Sequence, residues 1–130
     1  MIVDTSAIIA VMREEPEAAV FLEKMENAIG ALKMSAGNWL EAGIIADGEE
    51  GGTASLLLDN ISERLDLQVV AVTFEQAQIA RKAYRVFGRG RGHKAKLNYG
   101  DCFAYALAVQ TGEPLLFKGT DFIHTDVAVA

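Results

Sequence analysis

The sequence is poor in the residues that staple or punctuate a chain. One cysteine, Cys102, and two histidines in 130 residues exclude an internal disulfide and a Cys/His zinc centre, and a reducing cytosol is the expected setting. Only two prolines and no low-complexity stretch leave no room for a linker, so residues 1–130 are expected to form a single domain. Long apolar runs are also missing. The most apolar stretch, MIVDTSAIIAVM, is broken by Asp4, lacks a basic flank and runs into REEPE, so it is read as neither a signal peptide nor a membrane span. There is no GxxxxGK[ST] phosphate loop, and GRGRG at 88–92 follows a helical pattern rather than a strand, which excludes a dinucleotide fingerprint. No serine sits in a nucleophile elbow. His93 and His124 are read as surface or turn residues.

Basic residues are the other scarcity. Twelve Lys and Arg against 18 Asp and Glu give a net charge of −6, which argues against a general polyanion-binding surface. The basic residues are segregated, however. Arg81, Lys82, Arg85, Arg89, Arg91, Lys94 and Lys96 lie in a stretch from Gln76 to Gly100 that contains no acid. A local basic patch on an acidic body is one reading, and a solvated helix face followed by a loop is the other.

What is present alternates in period. MIVD, ALKMSA, QVVAV and LLFKG read as short strands, with VAVA at 127–130 as a last edge strand. Between them SAIIAVM, PEAAVFLEKMENA, GNWLEAGIIAD, TASLLLDNISERL and FEQAQIARKAYRVF read as helices, as does the segment after Asn98. Trp39, Tyr84, Tyr99 and Tyr105 fall in helical patterns and are assigned to the core. Strands alternating with helices predict a three-layer α/β/α sandwich around a mainly parallel sheet. In such sheets ligands bind beyond the carboxyl ends of the strands, where the strand order reverses.

Four acids are candidates for that rim. Asp4 ends the first strand and Asp121 follows LLFKG, so topology alone takes both there. Glu41, the only acid between Glu26 and Asp47, falls between Ile44 and Ile45 on the helical wheel, where an unpaired carboxylate is costly. Asp101 stands at the mouth of a helix, as N3 after an Asn98 cap, and reaches the rim only if the loop before it carries the chain back across the sheet. Taken singly, Asp4, Asp121 and Asp126 could each be a cap or turn residue. Gathered in one partly buried pocket, three or four carboxylates require raised pKa values or a cation between them, and a set of hard oxygens selects Mg²⁺ or Mn²⁺.

MIVDTSAI, SAGNWLEA, LNYGDCFAYALA and LLFKGTDF, in this order and spacing over nearly the whole chain, resemble the PIN-domain ribonucleases, and among them the VapC toxins of bacterial toxin-antitoxin pairs. The resemblance implies a PIN-like α/β/α fold and an acidic pocket of Asp4, Glu41, Asp101 and Asp121 that binds Mg²⁺, or Mn²⁺, with Ser6 hydrogen-bonding inside it. It implies an RNA substrate, held beside the pocket by Arg89, Arg91, Lys94 and Lys96. It also implies a cognate VapB-type antitoxin, in a homodimer or a toxin-antitoxin hetero-oligomer. The family often carries Asn or Asp before its last acid, where this chain has Thr120, a residue that bears on a second metal. The antitoxin's expected seat is an apolar groove on the first two helices, with part of Ile8, Val11, Met12, Phe21 and Leu22 in its lining. Two alternatives stay open, an inactive PIN-like interaction module and a metal-dependent phosphatase on a related sheet. The phosphatase normally has a second Asp two residues after its nucleophile, and Ser6 holds that position here.

Overall fold

The computed structural model describes residues 1–130. Four short strands, β1 (Ile2–Val3), β2 (Lys33–Ser35), β3 (Gln68–Val70) and β4 (Leu115–Leu116), form a parallel sheet in the order β3-β2-β1-β4. Helices α1 (Thr5–Met12) and α2 (Ala18–Glu26) connect β1 to β2, and α3 (Ala36–Asp47) and α4 (Thr53–Arg64) connect β2 to β3. Helices α5 (Phe74–Phe87) and α6 (Asp101–Thr111) lie between β3 and β4. The expected strand at 127–130 reduces to a single bridge, Leu115 to Val129.

Strand alternation builds the two cores. Val3, Met34 and Leu116 face one side, where they pack with Ile8, Met25 and Leu58 of the α1–α4 layer. Ile2 and Leu115 face the other, with Leu97, Tyr105, Leu107 and Phe122 of the α5–α6 layer. Helices on both faces make this the expected three-layer sandwich. Its polar ends differ. At the amino edge Glu113 is paired with both Lys33 and the Met1 ammonium, whereas no salt bridge involves Asp4, Glu41, Asp101 or Asp121.

The loop before α6 does not cross the sheet as expected. Arg89 N–H donates to Leu97 O at 2.9 Å and Leu97 N–H to Phe87 O at 3.0 Å, so residues 88–97 leave and return at one place. The reason is that α5 has already made the return journey. Gln76 at its start is bonded through Nε2 to Oε1 of Gln110 near the end of α6, at 2.7 Å, so the two helices run antiparallel and α6 begins where α5 ended. At its middle α6 is tied to the C-terminal segment by Tyr105, whose hydroxyl donates to Asp126 Oδ1 at 2.6 Å. This gives Asp126 an anchoring role.

Two glycines in α3 have opposite surroundings. A Cβ on Gly37 would lie 2.7 Å from the Phe103 ring, while one on Gly43 would meet nothing within 4 Å. Gly37 is therefore what lets α3 approach the start of α6. Gly43→Ala should raise stability by about 0.5–1 kcal/mol through helix propensity and chain entropy. Gly37→Ala should lower it by about 1–3 kcal/mol through overpacking. Urea unfolding of the two single variants reads both signs within one helix.

Candidate active site

The strand order reverses between β1 and β4, and the acids gather beyond their carboxyl ends. Asp4, the residue after β1, is 3% exposed and caps α1, accepting from Ser6 N–H at 2.9 Å. Cap and site residue are thus one, and Thr5 and Ser6 lie inside the helix. Ser6 Oγ donates to Asp4 Oδ2 at 2.5 Å and accepts from Lys118 N–H at 2.9 Å. A single hydroxyl thereby ties the end of β1 to the chain leaving β4.

Asp101 is placed by a reciprocal capping box. Its N–H donates to Asn98 Oδ1 at 2.9 Å, and its Oδ2 accepts from Asn98 N–H at 2.6 Å. The Asn98 side chain makes the bonds expected of a cap, although α6 itself begins at Asp101 after Gly100, and they hold the carboxylate at the rim. Glu41 is half-buried, as its place in an apolar helix required, and its Oε2 accepts from Thr5 Oγ1 at 2.6 Å. Asp121 is half-buried in the turn after β4, and Thr120 beside it is exposed.

Sequence reasoning passed over Asn38. It is fully buried, and its Nδ2 faces Asp4 Oδ1 at 3.4 Å, Thr5 Oγ1 at 3.2 Å and Gly100 O at 3.0 Å. One amide therefore links the first, third and last of the helices that surround the site. The available signal was its spacing, three residues before Glu41 on the same helix face. Its Oδ1 is buried without a hydrogen-bond partner.

The electrostatics are those of uncompensated charge. Burial lifts the Asp4 carboxyl above the usual carboxylate range, the Ser6 hydroxyl and N–H draw it down, and Glu41 pushes it up again. Burial likewise raises Asp101, from 3.8 to about 7; its bond from Asn98 opposes this, and the charges of Asp4, Asp121 and Glu41 add to it. Three acids therefore act on Asp101 and one of them, Glu41, on Asp4, although no three stand close enough in this structure to enclose an ion unaided. As a donor set they suit a hard divalent cation: carboxylate oxygens only, no Lys or Arg paired with any of them, and a buried carboxylate whose charge nothing offsets.

The basic residues lie apart from the acids. Arg89, Arg91, Lys94 and Lys96 are all exposed on the closed loop, none in a salt bridge, and Arg91 stands 5.9 Å from the centre of the Tyr84 ring. Assignment of the aromatics to the core fails for one of them. Tyr105 is 5% exposed, but Tyr99 is 79% exposed, because it falls in the turn before α6 rather than on a buried helix face.

The PIN domain family profile matches residues 1–128. VapC ribonuclease Mb0625 of Mycobacterium bovis is 50% identical over 127 residues, which is 98% of this chain and 95% of that protein. Among solved structures, the Sarcin-Ricin loop cleaving toxin VapC20 of Mycobacterium tuberculosis superposes with a TM-score of 0.76 at 14% identity, covering 99% of this chain and 97% of that one. A toxin-antitoxin complex from Klebsiella pneumoniae gives a TM-score of 0.66 at 16% identity, covering 99% and 95%.

The raised carboxyls predict how the metal-free protein responds to pH. Between about 4 and about 7 the folded chain holds a proton on Asp101 that the unfolded chain has lost. Stability should therefore fall as pH rises through that window and level off above it. Asp101→Asn keeps an acceptor for Asn98 N–H but removes the charge, so in EDTA it should raise the melting temperature at pH 8 and flatten the pH profile. A lower melting temperature with an unchanged profile would leave Asp101 with a cap's role alone.

Proposed function

The chain belongs to the PIN-domain family, and from that membership we propose that it is a metal-dependent endoribonuclease of the VapC toxin type, hydrolysing RNA phosphodiester bonds. The observation that carries the reading is the set of four acids at the reversal of strand order, two of them raised by burial and by one another. The 50% identity to a VapC ribonuclease over 98% of the chain supports the reaction class. All four acids being present disfavours an inactive interaction module, and Ser6 in place of a second Asp disfavours the phosphatase. The single unpaired cysteine accords with a cytoplasmic setting, and no helix is long and apolar enough to cross a membrane.

Asp4 and Asp101 would hold Mg²⁺ or Mn²⁺, with Glu41 and Asp121 binding it directly or through water. When bound, such an ion lowers the pKa of a coordinated water and offsets charge on the phosphodiester. The chain's own work is positional. Ser6 and Asn38 fix the Asp4 carboxylate, Thr5 fixes Glu41, and the Asn98 box fixes Asp101. Arg89, Arg91, Lys94 and Lys96 supply the attraction for phosphates that the acidic pocket lacks.

A cognate antitoxin is the protein partner. A groove of about 300 Å³ between α1, α2 and α4 is lined by Val11, Met12, Leu22, Ile29, Leu57 and Ile61, a surface suited to the apolar face of an amphipathic helix. It contains three residues of the expected lining. Ile8 is instead core at 1% exposure, and Phe21 packs half-buried against that core. An arginine of the antitoxin entering the acidic pocket would replace the metal's charge by a bidentate ion pair.

Incubation with RNA and Mg²⁺ should give products with 5′-phosphate and 3′-hydroxyl ends, because water rather than the ribose 2′-hydroxyl attacks. EDTA should stop the reaction, and a small phosphomonoester should survive. Asp4→Asn should reduce cleavage on the order of 10²-fold or more while circular dichroism stays native. Full activity in excess EDTA would sink the metal assignment.

Gly100→Ala tests the placement of Glu41. Gly100 has an ordinary helical backbone, φ −63° and ψ −44°, so it is not there for its conformational freedom. A Cβ at that position would stand 2.6 Å from Glu41 Oε2. The flexible Glu41 side chain should swing aside at little cost in melting temperature, giving up its Thr5 bond. Cleavage should fall while stability is nearly kept, and equal losses of both would refute the assignment.

A further inference from the structure

The largest hollow on the molecule is not the acidic site. It is a groove of about 610 Å³ between α5 and the start of α6, lined by Arg81, Tyr84, Arg85, Arg91, Tyr99 and Phe103 among others. Its floor on the α5 side is made by Ala77 and Ala80, whose small side chains create the depth. Arg81, Arg85 and Arg91 form no salt bridge, and no acid occurs between Gln76 and Gly100. Three guanidiniums with no acidic partner, in a chain of net charge −6, suit an anionic occupant.

The wall of the groove says what else that occupant carries. Tyr99 presents its ring to solvent at 79% exposure and is held edge-on by Phe103, centroids 5.0 Å apart and planes at 89°. Phe103 in turn sits where a Cβ on Gly37 would be, so α3 braces it from behind. Tyr99 and Phe103 also line the neighbouring hollow that contains Glu41 and Gly100. A braced, exposed aromatic ring between an arginine groove and an acid of the site is a stacking platform for an unpaired base, with its phosphates drawn to the guanidiniums.

Resting on the ribonuclease reading, we propose that this groove is a substrate subsite in which a single-stranded RNA segment stacks one base on Tyr99 and lays its phosphates along Arg81, Arg85 and Arg91, leading the strand to Glu41. A duplex cannot use it, because paired bases offer no free face to Tyr99. Recognition of an unpaired nucleotide thus becomes part of what selects the cleavage site.

The test is binding of a short fluorescein-labelled oligoribonucleotide, followed by anisotropy in EDTA so that no cleavage occurs. Tyr99→Ala should weaken binding about tenfold with the salt slope unchanged, and Tyr99→Phe should bind as the native chain does. Arg81→Ala with Arg85→Ala should shrink the slope of log affinity against log salt by about 1.4, as expected for two phosphates of a single strand. The same sequence annealed to its complement should bind more weakly and ignore Tyr99→Ala. Native affinity in Tyr99→Ala would overturn the proposal. So would sedimentation showing a dimer that Tyr99→Ala dissociates with no change in RNA affinity, since a second copy of the chain would then fill the groove. Cleavage in Mg²⁺ separates this from the reading beneath it. Tyr99-dependent binding by a chain that cleaves no RNA sinks the nuclease and leaves the subsite, whereas cleavage with Tyr99-independent binding sinks the subsite alone.

Discussion

The structure is organised around buried negative charge that nothing within the chain offsets. Asp4 and Asp101 lie almost out of reach of water, 3% and 8% exposed, with two further acids pressing on them and no basic side chain paired to any of the four. Left to themselves such groups would turn outward or take up protons. They are kept inward by Ser6, Thr5, Asn38 and the Asn98 box, which hold carboxylates in place without neutralising them. Folding energy is thereby committed to keeping a repulsive arrangement intact. Two glycines serve the same end by subtraction. Gly37 makes way for Phe103 and Gly100 for the Glu41 carboxylate.

The two edges of the sheet make the point by contrast. At the amino edge Glu113 is also partly withdrawn from water, yet Lys33 and the terminal ammonium surround it and hold its carboxyl below the usual range. At the carboxyl edge burial and like charge push the other way. One sheet thus carries acids perturbed in opposite directions at its two ends. The upward perturbation lies where the strand order reverses.

Much of this was legible in the sequence, because it rests on order and period. Strand-helix alternation gave a parallel sheet with two covered faces, and strand ends placed Asp4 and Asp121. The half-burial of Glu41 followed from its apolar helix, and the Asn98 cap from residue type. What was not legible depended on direction and distance. The return of the chain to the rim was assigned to the loop 88–96, but antiparallel packing of α5 and α6 makes it, and no local signal encodes that packing. Asn38 was overlooked because a buried amide in a helix has no periodic signature beyond its offset from Glu41. Tyr99 was placed in the core because an aromatic residue near a helix start reads like one within it, and the turn that exposes it is only two residues long.

The loop that leaves and returns between Gly88 and Leu97 has an evolutionary meaning. Because its two ends are bonded to each other, its length and composition are mechanically insulated from Asp101, which follows shortly after. Loops pinned in this way accept insertion, deletion and change of charge at little cost to the scaffold. The fold therefore lets the surface chemistry of this loop change while the placement of the acids stays as it is. The ten residues from Gly88 to Leu97 are thus a segment that can be exchanged as a unit without disturbing the start of α6.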